Sequence, residues 1–526
     1  MVNVKDLLSN GYFPRELPPA FSTKEFAEAV VGSSKAVNQK FLEKRENAEL
    51  LVHNLVRSGG VRRDLGIPNP LPYAHLCQFI SHKWQELSTL TSRSTISLTK
   101  PVSMKSERAI SAEHSLDERI IRRVNLRSKS RFVVRADISR FYPSIYTHSL
   151  PWAVHTKATV KQAMAERGSL KSLWADELDT HLRNMNSKQT VGIPIGPDCS
   201  LLVAEVLLSA VDEELQNAIV ELNGIRFIDD YEFGVRTYSE GEKIISQLQT
   251  SLNHYGLALN PAKTSITQLP EPFEPLWTSH LRTFIFREAG RFGQRNDLTA
   301  YFDFAFDCAR KHRDEGVLKY AIPRLNGIEI DEDNWTVYES ILSQCVIVEP
   351  ATLPQVCEQI EFYNSLGYTI NQDLWGIITN QVVLERLPLG QASEAVWAMW
   401  LMSRLKCKLC SEAAKVVDFC EDSLAALMGL GLVNAGLADA LVNLNRFAEP
   451  DELKGRNWLL CYEGVHQGWL VAPSKRDTFE KSTDFTFLHD NNVSFFDIEA
   501  EHPEPRRRNK QSTTIDDFSI DGWYDI

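Results

Sequence analysis

Apolar and polar positions follow two regimes along the chain. Through about residue 290, short β-rich runs alternate with stretches of helical spacing. RFVVRADI (131–138) reads as a strand that ends in a carboxylate, and GIRFIDDYEFGV (224–235) as two short strands meeting in a hairpin at Asp229-Asp230. Between them, LLVAEVLLSAVDEEL (201–215) repeats apolar residues at helical spacing, with its Glu and Asp gathered on the other face. The alternation predicts a mixed α/β domain on an antiparallel sheet. After about residue 295, helical stretches separated by Pro, Gly and Asn take over. SEAVWAMWLMSRLKCKL (393–409) is apolar almost all round and predicts a buried helix. SLAALMGLGLVNAGLADALVNL (423–444) predicts a pair of short helices broken at its glycines. This second half has the character of an α-solenoid without a fixed repeat period. The expected divisions are an N-terminal extension (1–60), the mixed domain (61–295), the helical domain (296–470) and a C-terminal segment with a mobile tail (471–526).

Composition narrows the function classes. At 526 residues the chain exceeds one core. No run of about 18 apolar residues predicts a membrane span, and the first twenty residues lack the pattern of a secretory signal. Nine cysteines without framework spacing suit a reducing cytoplasm, and Cys407-x-x-Cys410 has no second ligand pair, so buried thiols are expected there. The net charge of −12 is unevenly spread. Residues 51–150 hold 16 Lys and Arg against 7 Asp and Glu, among them Arg62, Arg63, Arg122, Arg123, Arg127, Lys129, Arg131 and Arg135. Residues beyond 300 hold 20 against 36. That split suits a phosphate-binding surface joined to a domain that avoids phosphates, although charge alone fits an ordinary solvated face equally well.

The chemistry concentrates in three places. Two adjacent carboxylates in an apolar β context repel by roughly 4 kcal/mol at about 4 Å and an effective dielectric near 20. A divalent cation turns that cost into binding, since Mg²⁺ prefers carboxylate oxygens. Alone, Asp229-Asp230 fits a solvent-exposed turn better. With Asp137 at a strand end in RADISRFYPSIYTH (135–148), a three-carboxylate cage for two metal ions becomes available. The N–H groups after Asp137 are expected to face a triphosphate. GIPIGPDCS (192–200) adds a Gly/Pro loop before the long helix, where Gly192 and Gly196 permit close backbone approach and Pro194 and Pro197 stiffen the turn.

The order strand-Asp, Gly/Pro loop, helix, Asp-Asp hairpin resembles the palm of reverse transcriptases, with YGLALNPAKTS (255–265) similar to a further palm motif containing Lys263. The phrases GYFPRELPPAF (11–21), GIPNPLPYAHLCQFI (66–80), FYPSIYTHSLPWAVH (141–155) and GIPIGPDCSLLVAEVLLSAVDEEL (192–215) resemble the bacterial defence reverse transcriptases of the abortive-infection (Abi) and defence-associated (DRT) unknown-group class. The resemblance implies an α+β fold with right-hand palm and fingers, followed by an all-α helical-repeat domain in place of a thumb. It implies RNA-directed DNA synthesis from dNTPs with two Mg²⁺ (or Mn²⁺) held by Asp137, Asp229, Asp230 and the backbone of Ile138. It also implies a dNTP site at Ile138, Ser139, Arg140, Phe141, Tyr142, Pro194 and Gly196, with Tyr142 as steric gate and Lys263 aiding pyrophosphate departure. A surface role fits Arg140 equally well. The basic 122–135 segment is expected to contact phosphate.

Expected partners are a non-coding RNA template, a DNA product and further copies of the chain as a trimer or hexamer, in a bacterial cytoplasm with no membrane. Protein priming, where it occurs, would use Tyr12 or Tyr524, although packing or surface roles fit both. Arg506-Arg507-Arg508 fits solvated disorder better than nucleic-acid binding. Two departures stand out: Ile195 occupies a loop position where many reverse transcriptases have Gln, and Phe227 replaces the usual Tyr. Both speak against processive copying of long templates. The alternatives are a template-independent protein-primed DNA polymerase causing abortive infection, an RNA polymerase or terminal transferase, an intron maturase, and a non-catalytic phage-sensing scaffold with a vestigial palm.

Overall fold

The computed structural model describes residues 2–32, 46–104, 108–114, 116–167, 170, 173–287, 291–471, 479 and 482–502. β-branched and aromatic runs build its central sheet. Strands β5 (Phe132–Asp137), β6 (Gly224–Phe227), β7 (Asp230–Val235) and β8 (Ser265–Gln268) lie in the order β6-β7-β5-β8, every neighbour antiparallel. The two preceding hairpins are β1 (Leu51–Val56) with β2 (Arg62–Ile67), and β3 (Pro101–Ser103) with β4 (Ile110–Ala112). The long helices Pro70–Thr91 and Asp198–Ala218 pack against each other, and helix Tyr238–His254, started by a Thr237/Glu240 capping box, contacts β5, β7 and β8. This is the expected α+β palm-and-fingers arrangement.

From Arg291 onward the described elements are α- or 3-10 helices, among them Trp335–Val348, Leu353–Ser365, Gln372–Arg386, Ala392–Leu405, Ser411–Asp418, Ser423–Asn434 and Trp458–His466. Ala392–Leu405 is buried almost all round, as its composition requires, and Cys407 and Cys410 lie in the connection that follows it. No described helix is long and apolar enough to cross a membrane.

Three sequence expectations need correction. Residue 60 is not a boundary, because it lies between the paired strands β1 and β2. Nor is the N-terminal stretch an appendage. Ser22 donates to the Phe495 carbonyl (3.0 Å) and Asp497 to that of Ala20 (2.8 Å), so residues 494–502 strap the start of the chain to its end. Third, Ser423–Asn434 is one continuous helix through Gly429 and Gly431. A Cβ on Gly431 would stand 2.7 Å from Ile498 and 2.9 Å from Phe496, so this glycine makes room for the strap and does not break the helix.

The helical region docks on the first hairpin. Arg62 makes a two-pronged ion pair with Glu394 (2.7 Å each), and Trp397 Nε1 donates to the Glu16 carbonyl (2.9 Å). A single continuous set of buried apolar side chains runs from the N-terminal segment through the sheet into these helices.

Candidate active site

Register brings the carboxylates together. Asp137, the last residue of β5, is the cross-strand partner of Asp230, the first of β7, and Asp229 occupies the turn just before it. That turn is strained. Ile228 adopts φ +54°, a left-handed conformation that costs a β-branched residue about 1–2 kcal/mol. Asp137 is 7% exposed. Its Oδ1 accepts from Asn260 Nδ2 and its Oδ2 from Lys263 Nζ, both at 3.0 Å. Arg119 places Nη2 3.4 Å from Asp230 Oδ2 and stacks over the Phe227 ring at 4.9 Å.

The charges oppose one another. Burial, then Asp230 and Asp137, pushes Asp229 up to about 7. Asp230 is raised mainly by burial and further by Asp137, against the pull of Arg119 and Lys263. Among the described residues no three His, Cys, Asp or Glu side chains form a ready-made metal cage, since Asp137 faces Lys263 and Asn260. The donor set nevertheless fits hard divalent cations. Three carboxylates crowd at one end of a hairpin, two of them hindered from ionising by burial and by the neighbouring Asp137, and Mg²⁺ or Mn²⁺ relieves that cost.

Ile138, Arg140, Phe141, Tyr142 and Gly196 line the same cleft as the three Asp and Lys263, a space of about 2080 Å³. Its far walls are the N-terminal segment and the 494–502 strap. Arg140 has φ +46° at the start of the short helix Phe141–Ser144, in which Phe141 is buried and Tyr142 half-buried. Ser139 departs from expectation: its N–H donates to the Ala258 carbonyl (2.9 Å) and is not turned to a triphosphate. Pro194 is buried and supports the loop from below. Gly66 N–H donates to the Ile195 carbonyl (2.9 Å), and a Cβ on Gly66 would stand 2.7 Å from Pro194.

Gly196 needs its missing side chain twice over. Its φ is +123°, and a Cβ would lie 2.5 Å from Pro14 Cγ. Gly196→Ala is therefore expected to lower stability by about 1–3 kcal/mol and to displace the loop. Chemical denaturation checks this, and an unchanged midpoint would contradict it. The loop is also held by Asp198, whose Oδ2 accepts the N–H groups of Ala109 (2.9 Å) and Ile110 (3.0 Å) and whose Oδ1 pairs with Arg108. Arg108 in turn donates to the Phe13 (3.0 Å) and Gly196 (2.9 Å) carbonyls.

Arg123 and Arg127 of the basic segment are engaged by Glu232, and Arg135 by Glu271, so these three brace the palm. Tyr12 is fully buried, with its hydroxyl donating to the Pro68 carbonyl, which removes it as a priming residue. Tyr524 and Arg506-Arg507-Arg508 lie outside the described residues. Glu205 and Asp212 do not form a solvent face. Both are 0% exposed and pair with Arg226, itself 0% exposed and bonded to the Ile228 carbonyl of the Asp229 turn. Their seven-residue spacing on one helix face, with an Arg just before FIDD, was the available signal.

A family comparison fits this geometry. Residues 80–284 match the family model described as reverse transcriptase (RNA-dependent DNA polymerase). No curated protein matches the chain. Among solved structures, telomerase from Candida albicans aligns at 10% identity and a TM-score of 0.29, covering 70% of this chain and 65% of that one. Telomerase from Candida tropicalis aligns at 12% and 0.26, covering 68% and 64%. The chain thus spans just under two thirds of either telomerase. With Asp137, Asp229 and Asp230 all inside the matched stretch and gathered at one end of its sheet, the chain carries a reverse transcriptase domain.

Proposed function

We propose that the protein is an RNA-directed DNA polymerase of a bacterial anti-phage defence system, building DNA from dNTPs on a partner non-coding RNA. The observation that carries the catalytic part is the cross-strand pairing of Asp137 with Asp230 beside a turn that offers Asp229. The defence assignment is supported by the motif wording quoted above, and an RNA template by the family match over 80–284.

Asp137, Asp229, Asp230 and the Ile138 backbone would hold two Mg²⁺. Such ions make the attacking 3′-hydroxyl more acidic and neutralise the leaving pyrophosphate. The chain's own groups do the rest. Lys263, beside Asp137, carries an ammonium proton that it can deliver to the departing pyrophosphate oxygen. Gly196 shapes the floor under the incoming base with Pro194 buried beneath the loop, and Arg140 faces the cleft with a charge suited to phosphate. The Tyr142 ring, half-buried against Phe141 (centroids 5.2 Å apart) and lining the cleft, would stand under the sugar and collide with a ribose 2′-hydroxyl. Tyr142→Ala is expected to lower the preference for dNTP over NTP by roughly 10²-fold. Incorporation assays with each pool check it, and an unchanged ratio would place the gate elsewhere.

The acidic helical domain is suited to protein contacts, including further copies of the chain, more than to a broad nucleic-acid face. The test of the whole reading starts from protein purified from its host with co-purifying RNA. It is incubated with Mg²⁺ and labelled dNTPs, and the product is sequenced after RNase or protease digestion. DNA complementary to a bound RNA is the expected result. Label that stays on protein, needs no RNA and is lost in Tyr524→Phe would favour untemplated, protein-primed synthesis instead. No incorporation beside an active control enzyme would overturn both.

A further inference from the structure

The catalytic turn is held from beneath by a residue that belongs to none of the polymerase motifs. Residues 96–98 run parallel to β6: Leu98 N–H donates to the Arg226 carbonyl (2.8 Å) and Arg226 N–H to that of Ile96 (2.7 Å). This pairing delivers Thr99 to the strained turn. Thr99 Oγ1 accepts the Ile228 N–H at 3.1 Å and donates to Glu205 Oε1 at 2.6 Å. On the other side, Arg226 Nη1 donates to the Ile228 carbonyl and to Glu205 Oε1, each at 2.8 Å. Thr99, Arg226 and Glu205 are all fully buried, so water does not substitute for any of them.

We propose that Thr99 is a positioning residue for nucleotidyl transfer: its hydroxyl, acting with the Arg226 guanidinium, locks the Ile228 peptide and so fixes where Asp229 presents its carboxylate. The geometry carries the argument. The N–H and the C=O of Ile228 belong to the two peptide planes that flank its Cα, and fixing both planes fixes its φ and ψ. Without those bonds a β-branched residue at φ +54° relaxes towards negative φ. Asp229 follows directly, so relaxation swings its side chain away from Asp137 and Asp230. Glu205 Oε1 ties the two clamps together, since it accepts from Thr99 and Arg226 alike. The inference rests on the proposed two-metal reading of Asp137, Asp229 and Asp230.

The test uses Thr99→Val, which keeps shape and removes the hydroxyl, and Thr99→Ser, which keeps the hydroxyl. Thr99→Ala is carried in parallel in case the valine protein does not fold. Mn²⁺ binding to the full-length protein is titrated by electron paramagnetic resonance, with Asp229→Asn as the reference for a lost ligand, and dNTP incorporation is measured separately. Loss of the hydroxyl removes both of its buried hydrogen bonds, to the Ile228 N–H and to Glu205, and predicts roughly tenfold weaker Mn²⁺ binding in Thr99→Val or Thr99→Ala. The same loss predicts kcat lowered about tenfold with KM for dNTP within about twofold of wild type. Thr99→Ser is expected to restore both. Wild-type Mn²⁺ affinity in the hydroxyl-less variants overturns the proposal, and so does a Thr99→Ser protein as impaired as Thr99→Val. A wild-type protein whose Mn²⁺ site depends on the hydroxyl but which incorporates no dNTP upholds the positioning role and removes the polymerase reading.

Discussion

Asp229→Asn is expected to abolish DNA synthesis, by 10³-fold or more on the order of magnitude seen when a charge-stabilising group is removed from a reacting centre, while making the metal-free protein more stable. Both effects have one cause. Burial, then Asp230 and Asp137, raises the Asp229 carboxyl to about 7, far above its ordinary range. The unfolded chain gives up that proton near pH 4, whereas the folded chain keeps it until about pH 7. Between those values the folded state binds more protons than the unfolded state, so stability falls as pH rises. The penalty is absent below about pH 4 and complete above about pH 7. An asparagine does not titrate. The variant should therefore melt with wild type at pH 4 and above it at pH 8, both in EDTA. Adding Mg²⁺ or Mn²⁺ at pH 8 should raise the wild-type melting temperature and leave that of the Asp229→Asn protein largely unmoved. Since the cation favours ionised Asp229, lowering pH through 7 should also weaken its binding and slow synthesis. An Asp229→Asn protein that melts below wild type at pH 8 would mean the carboxylate makes a stabilising contact that outweighs the repulsion.

The parts of this site that could be read from sequence are those in which chemistry and local structure coincide. Asp137 closes a β-rich run, Asp229-Asp230 marks a hairpin, and Gly196 announces a close approach; each needs only its own neighbours to be recognised. What stayed hidden depends on residues far apart in the chain. Glu205 and Asp212 lie on the polar stripe of an amphipathic helix, and nothing local distinguishes a stripe facing water from one facing a buried arginine. Arg123 and Arg127 read only as part of a basic segment, because their partner, Glu232, is over a hundred residues away. The strap was invisible for the same reason. Gly431 reads as a helix breaker until Phe496 and Ile498 are seen against it. The boundary at residue 60 fails for a local reason: it falls in the turn of a hairpin in which Arg63 pairs in register with Leu55.

Arg226 concentrates the largest structural debt in the palm, and Arg226→Leu is expected to lower unfolding free energy by about 3–5 kcal/mol, as when one partner of a buried ion pair is removed. Its Nη1 and Nη2 reach both oxygens of Glu205 (2.8 and 3.0 Å), and its Nε reaches Asp212 Oδ2 (2.9 Å). Burial disfavours the guanidinium charge, but Asp212 and Glu205 outweigh it and hold Arg226 firmly protonated. Replacing it leaves two carboxylates without a cation in a space closed to water. Hydroxyl donors remain, from Ser94 and Tyr231 to Asp212 (2.6 and 2.9 Å) and from Ser97 and Thr99 to Glu205 (2.9 and 2.6 Å), and they soften the loss without supplying charge. Arg226→Lys keeps one positive charge but cannot fork to two carboxylates and the Ile228 carbonyl at once, so it should fall between leucine and wild type. Urea denaturation orders the three proteins. Pairing Arg226→Leu with Glu205→Gln removes one stranded anion and should recover part of the deficit, because Asp212 then has only its own hydroxyl donors to satisfy. A leucine variant within about 1 kcal/mol of wild type would show that the buried ion pairs add little to stability, and that the network's value lies wholly in aiming the Asp229 turn.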